Sequence, residues 1–348
     1  MGVGVASLRA DRRTTVTESM ATNSIGWGIL GTGGIANAFA SDLVENGFTV
    51  AAVGSRSQES ADAFAAKYGI AAAHPSYEDL VADPSVQVIY VSTPHPFHAE
   101  NAKLALNAGK HVLVEKPFSL NAAEAREVVE LAESKGLVVL EAMWTRWLPH
   151  MVRLREVIAA GTIGDVRTVL ADHNQKLPSD PEHRLNNPDL GGGALLDLGI
   201  YPVSFAWDIL GKPETIATNS SPTVTGVDRQ TAILLGYADG KQAVLHTALD
   251  TPGPNSASVL GTDGWIEIAS TWYVPNSFIV YDTDGDIVEG FEAEVVGRGM
   301  QYQAWEIQRL INAGVTAGEV LPPSETVAIM ETLDTIREQI GLRYPGDR

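Results

Sequence analysis

Cysteine is absent from all 348 residues, which excludes disulfides, thiolate nucleophiles and cysteine-based zinc sites and fits a reducing compartment such as the cytoplasm. Positive charge is scarce. Lys and Arg number 24 against 43 Asp and Glu, for a formal net charge of −19. A surface of that sign repels phosphate backbones and anionic headgroups, so neither nucleic acid nor a membrane is expected as a partner. No apolar run approaches the ~20 residues of a membrane-spanning helix. The first 22 residues carry Arg9, Arg12 and Arg13 but no apolar core, so a signal peptide is not expected. Internal repeats and low-complexity tracts are also missing.

What is present is length and pattern. A chain this long is expected to form two domains, each with its own core. Residues 1–23 read as a disordered tail. Over residues 24–143, strand-like apolar runs at 26–30, 48–53, 86–92, 111–114 and 137–141 alternate with helical stretches at 57–68, 99–108 and 121–135. That alternation predicts a doubly wound parallel sheet, and Asn121 is placed to cap the third helix. Over residues 144–348 the texture becomes α+β. Helices are expected at 151–160, 193–210, 302–313 and 324–340, and a β-rich stretch at 214–286 holds three Asp-Gly turns, at Asp239, Asp263 and Asp284. The fold class is therefore α/β: a Rossmann sheet followed by an α+β domain with an open, largely antiparallel sheet. An open sheet needs a cover on its second face, so a homodimer or larger homo-oligomer is expected.

The segment Gly31-Thr32-Gly33-Gly34-Ile35-Ala36 runs from the first strand into a helix with the spacing GxGxxA. Gly31 permits the tight turn, Gly33 lets the backbone approach a pyrophosphate, and Ala36 allows close packing of helix on strand. The free N–H groups at the helix start, around Gly34 and Ile35, then face the phosphates. After the second strand there is no acid to grip a ribose hydroxyl. Ser55 and Arg56 stand there instead, which suits the 2′-phosphate of NADP, with NAD as the less favoured cofactor. Arg56 could also be a plain solvated residue at the start of a helix.

Lys116 follows the strand ending at Val114, on the edge where ligands bind in such sheets. Further along, Asp197 and Tyr201 are four residues apart and share a helix face. A lysine and a tyrosine are the pair that alcohol and carbonyl hydride chemistry needs: a proton must move at the substrate oxygen, and an ammonium beside a phenol lowers its pKa. Taken singly, Asp197 reads better as a polar cap or structural partner of the helix, and Tyr201 as a core aromatic with its hydroxyl satisfied. His95 and His98 follow the strand ending near Ser92; lining a groove and serving as cap or surface residues remain equally open for them. With Glu100 they make no recognisable ligand set, and no metal is expected. Trp144 and Arg146, just past the last parallel strand, are cleft candidates.

These motifs are similar to those of the Gfo/Idh/MocA oxidoreductase family: the turn from Gly31 to Ala36, Glu115-Lys116-Pro117, and the triple glycine leading to Asp197 and Tyr201. Thr93-Pro94-His95-Pro96-Phe97-His98 and Glu141-Ala142-Met143-Trp144-Thr145-Arg146 most resemble its dihydrodiol and D-xylose dehydrogenase branch, although many members carry His where this chain has Tyr201. The resemblance implies Lys116 and Tyr201 as the acid/base pair and Asp197 as the residue that positions substrate or tunes them. It also implies that Thr93, Pro94, His98, Glu115, Trp144 and Arg146 border the nicotinamide pocket, and that the substrate is a small carbohydrate or diol. The expected function is hydride transfer between NAD(P) and a carbinol carbon. Two other classes stay open: a glycosidase that oxidises its sugar only transiently, and a non-catalytic dinucleotide-binding regulator.

Overall fold

The computed structural model describes residues 25–345 and Asp347; the tail expected over residues 1–23 lies outside the described residues. The first sheet contains β1 (Gly26–Leu30), β2 (Thr49–Gly54), β3 (Ala72–His74), β4 (Val88–Val91), β5 (His111–Glu115) and β6 (Val139–Ala142). Its order is β3-β2-β1-β4-β5-β6 and every pairing is parallel. Strands β1 and β4 are buried along their whole length, as strands packed on both faces must be. The connecting helices are α1 (Gly34–Glu45), α2 (Gln58–Tyr68), α3 (Tyr77–Ala82), α4 (His98–Asn107) and α5 (Ala122–Lys135). The Asn121 side chain accepts from Glu124 N at 2.9 Å, as its position suggested. Helix α1 differs. Gly33 gives it no side-chain cap, so its first N–H groups stay available to a ligand.

The second half contributes α6 (Pro149–Ala159), β7 (Val166–Asn174), α7 (Ile200–Leu210), β8 (Thr215–Pro222), β9 (Asp228–Gly236), β10 (Gln242–Ala248), β11 (Ala257–Gly261), β12 (Gly264–Ile268), β13 (Ser277–Asp282), β14 (Ile287–Glu292), α8 (Gln301–Ala313) and α9 (Pro323–Ile340). Eight strands form one sheet in the order β14-β13-β12-β11-β7-β10-β9-β8, antiparallel except for the β7–β10 pair. All three Asp-Gly turns join adjacent antiparallel strands. Helices α6, α7 and α9 pack on one face. The other face is open, and Leu170, Val244 and Leu234 lie in register across its centre, 38, 48 and 43% exposed.

Four features depart from the sequence reading. Strand β3, helix α3 and strand β7 were not anticipated. The stretch from Pro188 to Leu210, with a mean hydropathy of 1.2, is long and apolar enough to cross a bilayer, contrary to the expectation that no such run exists; 83% of that window is buried inside the fold.

Helix α9 ties the two halves together. Asp334 accepts from Ala122 N at 2.8 Å, at the start of α5, and Arg337 donates to Leu120 O at 2.8 Å. The same helix packs against α5 and β6 of the first sheet and against β8 of the second.

Candidate active site

The carboxyl ends of β1, β4, β5 and β6 open into one cleft of about 1090 Å³, closed on its far side by residues of β7 and the segment leading into α7. Strand order reverses between β1 and β4, and a ligand crevice is expected there. Gly31 has φ +107, a conformation that favours glycine, and a Cβ on Gly33 or Gly34 would meet no atom within 4 Å. That open space over uncapped N–H groups fits a dinucleotide pyrophosphate.

At the other end of the cleft lies the chemical cluster. Lys116, at the end of β5, donates from Nζ to the main-chain oxygen of Asp197 at 2.8 Å, and its Nζ is 3.8 Å from Asp197 Oδ1. Asp197 belongs to a single π-helical turn, Leu195–Gly199, that leads into α7. Such turns interrupt the regular carbonyl ladder, and here the Asp197 carbonyl faces Lys116. Tyr201 follows on α7. Its ring lies 5.1 Å from Lys116 Nζ, and its hydroxyl oxygen accepts from Trp144 Nε1 at 3.0 Å.

Burial opposes charge on Lys116, yet Asp197, Tyr201 and Glu115 outweigh it, and the ammonium pKa is raised. Burial also disfavours the Asp197 carboxylate, but Lys116 and Arg184 hold its pKa well below the usual range. Tyr201 goes the other way from expectation. Lys116 and Trp144 do pull its pKa down, but burial exceeds them and the net shift is upward. At neutral pH the cluster therefore holds an ammonium, a carboxylate and a neutral phenol. Indole N–H can only donate, so the phenol proton is free to point at a ligand.

Most residues singled out from the sequence do meet here. Gly31, Gly33, Gly34 and Ile35 line one end of the cleft, with Ser55 and Arg56 beside them. Thr93, Pro94, Glu115 and Trp144 line its middle. Glu115 is buried, accepts from the Tyr90 hydroxyl and from Lys116 N, and its pKa is raised by burial. His98 is fully buried with its ring nitrogens at Pro117 O (2.8 Å) and Thr93 O (2.7 Å). Burial lowers its pKa to about 4, so the neutral ring donates to one carbonyl at a time. It fastens the Lys116 loop to the loop after β4. His95 also reaches the cleft, 3.8 Å from Asp197, with Nδ1 at Gly191 O.

Arg146 does not border the pocket. It is 4% exposed and turned into the protein, bonded to Ser204, Glu325 and Asp208. Among the cleft residues that escaped the sequence reading are His173, Arg184, Tyr273 and Arg298. His173 stacks on Tyr273 at 3.7 Å and meets Tyr201 edge-on at 5.0 Å. Arg184 reaches Asp197 Oδ1 at 3.1 Å. No motif flagged any of these four. Among the described residues no group of three or more His, Asp and Glu side chains could hold a metal ion.

Known proteins share this fold. Residues 25–143 match the family described as "Oxidoreductase family, NAD-binding Rossmann fold", and residues 151–267 match the "GFO/IDH/MocA C-terminal domain". The trans-1,2-dihydrobenzene-1,2-diol dehydrogenase of Mus musculus is 38% identical over 92% of this chain and 98% of its own length. The D-xylose 1-dehydrogenase (NADP(+)) of Hypocrea jecorina is 36% identical over 92% of this chain and 93% of its own. The crystal structure of aldose-aldose oxidoreductase from Caulobacter crescentus, complexed with glycerol, shares the fold with a TM-score of 0.83 at 24% identity, covering 91% of this chain and 98% of that one. More than a third of its residues are shared with such relatives along nine tenths of its length, and the chain belongs to the Gfo/Idh/MocA family of NAD-binding oxidoreductases.

Proposed function

We propose that the protein is an NADP-preferring dehydrogenase or reductase acting on a carbinol carbon of a sugar, cyclic polyol or trans-dihydrodiol. The observation that carries this reading is the contact of Lys116 with Tyr201 in the cleft that also holds the uncapped glycine turn. Relatives named as dihydrodiol and D-xylose dehydrogenases support the substrate class.

When bound, the nicotinamide gives or takes the hydride. The residues of the chain do the rest. The N–H groups at the start of α1 would hold the pyrophosphate, and Ser55 with Arg56 would hold the 2′-phosphate. In reduction the Tyr201 hydroxyl delivers its proton to the substrate oxygen, while the Lys116 ammonium stabilises the phenolate left behind. In oxidation the proton returns along the same path. Two groups this close titrate as a pair, so the pH dependence belongs to both. Asp197 keeps Lys116 charged and aimed, and Trp144 fixes the phenol oxygen.

The near-ultraviolet absorbance of reduced nicotinamide tests the reading, with NADP or NAD against D-xylose, D-glucose, inositols, anhydrosugars and a dihydrodiol. Net reduction of NADP with one substrate class supports it. Cleavage of a glycoside without net absorbance change would indicate the transiently oxidising glycosidase, and binding without turnover the regulator. We also propose a homodimer paired through the open sheet face, in the cytoplasm; the apolar centre of that face supports the first and the absence of cysteine suits the second.

A further inference from the structure

One basic side chain of the cleft is used by none of the chemistry above. Arg298 comes from the loop between β14 and α8, in the second half of the chain, yet it lines the same cleft as Gly33 and Gly34. Its guanidinium makes no close ion pair or side-chain hydrogen bond among the described residues, and its charge is felt only at longer range by Asp42 and the Tyr90 hydroxyl.

The loop that presents it is fixed to the first half by a buried carboxylate. Asp42, on α1 and only 2% exposed, accepts from Arg298 N at 2.9 and 3.1 Å and from Met300 N at 2.8 Å. Gly297 has φ +74, and a Cβ there would stand 2.4 Å from Asp42 Oδ1, so the approach requires glycine. Burying a carboxylate against backbone amides is costly unless its geometry is satisfied, and here three N–H contacts satisfy it. The consequence is positional. An arginine with no close ion pair is anchored beside α1, about two turns along from the uncapped N-terminus that faces the cleft.

We propose that Arg298 is a clamp on the dinucleotide pyrophosphate, supplied by the second half of the molecule and set in place by Asp42. The inference rests on the cleft being the dinucleotide site. It assigns the grip on the cofactor to both halves of the chain rather than to the first sheet alone.

Cofactor affinity, read from tryptophan fluorescence or calorimetry without substrate, tests it. The pyrophosphate is common to NADP and NAD, so Arg298→Ala should weaken both by the same factor, roughly tenfold to a hundredfold for a lost charge-assisted contact. Arg298→Met, which keeps the apolar stem, should lose as much. A loss confined to NADP would mean that Arg298 reads the 2′-phosphate, and unchanged affinity for both would mean that it touches neither; either overturns the proposal. Affinity retained by the Met variant alone would replace the charge with packing. In an Asp42→Asn background Arg298→Ala should cost less, whereas fully additive costs would remove Asp42 from the device. If the wild-type protein binds neither dinucleotide, the cofactor reading falls with the clamp. If wild type binds and the variants do not differ from it, only the clamp falls.

Discussion

Lys116 and Tyr201 divide one proton-transfer task, and their environments say how. The raised ammonium pKa keeps Lys116 charged, and the raised phenol pKa keeps Tyr201 protonated until alkaline pH. Carbonyl reduction needs the protonated phenol, so its rate should fall as pH rises through that pKa, while alcohol oxidation should rise. Tyr201→Phe should flatten both limbs in a steady-state pH profile. Lys116→Ala should lower turnover ~10² to 10⁴-fold with cofactor affinity intact; near-normal turnover would remove Lys116 from the mechanism. Arg56→Ala should weaken NADP far more than NAD in the same binding titration, and equal losses would refute its contact with the 2′-phosphate. Lys116 was legible because it follows a buried strand at the ligand edge, and the glycine turn because its spacing has a mechanical reason. Arg146 was misplaced for a reason equally physical. It is two residues from Trp144 on a tight 3-10 turn, where side chains so spaced diverge. Trp144 turns to Tyr201, and Arg146 turns to Ser204.

At the scale of elements, the loop after β5 is braced from β6. Glu141 accepts from Phe118 N at 3.1 Å and from the Thr326 hydroxyl at 3.3 Å, joining that loop to the start of α9. Burial pushes the Glu141 pKa from the ordinary 4.5 up to about 7. A carboxyl group that binds its proton more tightly when folded stabilises the fold fully below the unfolded pKa and loses that contribution as pH rises through the folded one. Thermal unfolding should therefore show wild type losing stability relative to Glu141→Gln between about pH 5 and pH 8; parallel curves would contradict the shift. The parallel strands were readable because burial on both faces writes them as unbroken apolar runs. Strand β3 was not, being three residues long with no fully buried position. Strand β7 lacks any Asp-Gly signal, and its neighbours in the sheet, β10 and β11, come from far along the chain. Its place was fixed by pairing at long range, which no local pattern records.

For the whole molecule, the open face of the second sheet presents Leu170, Val244 and Leu234 as one apolar row. If that row meets a second copy, sedimentation should give a mass above the 37.1 kDa of one chain. Val244→Lys, at the row's centre, should then return the mass to the single-chain value without changing the circular dichroism. A wild-type mass near 37.1 kDa would contradict the pairing. Helix α9 carries a different consequence. It seals α5 and β6 with Asp334, Arg337 and an apolar stripe that includes Ile329, Leu333 and Ile336. On the ribosome, β6 emerges well before α9, by roughly 10 to 40 s at ordinary elongation rates. During that interval the nascent nucleotide fold has an uncovered flank, and a chain terminated early keeps it uncovered permanently. A chain that stops before residue 323 therefore leaves exposed an apolar flank of the kind that chaperones and proteases recognise, whereas one that includes α9 covers it.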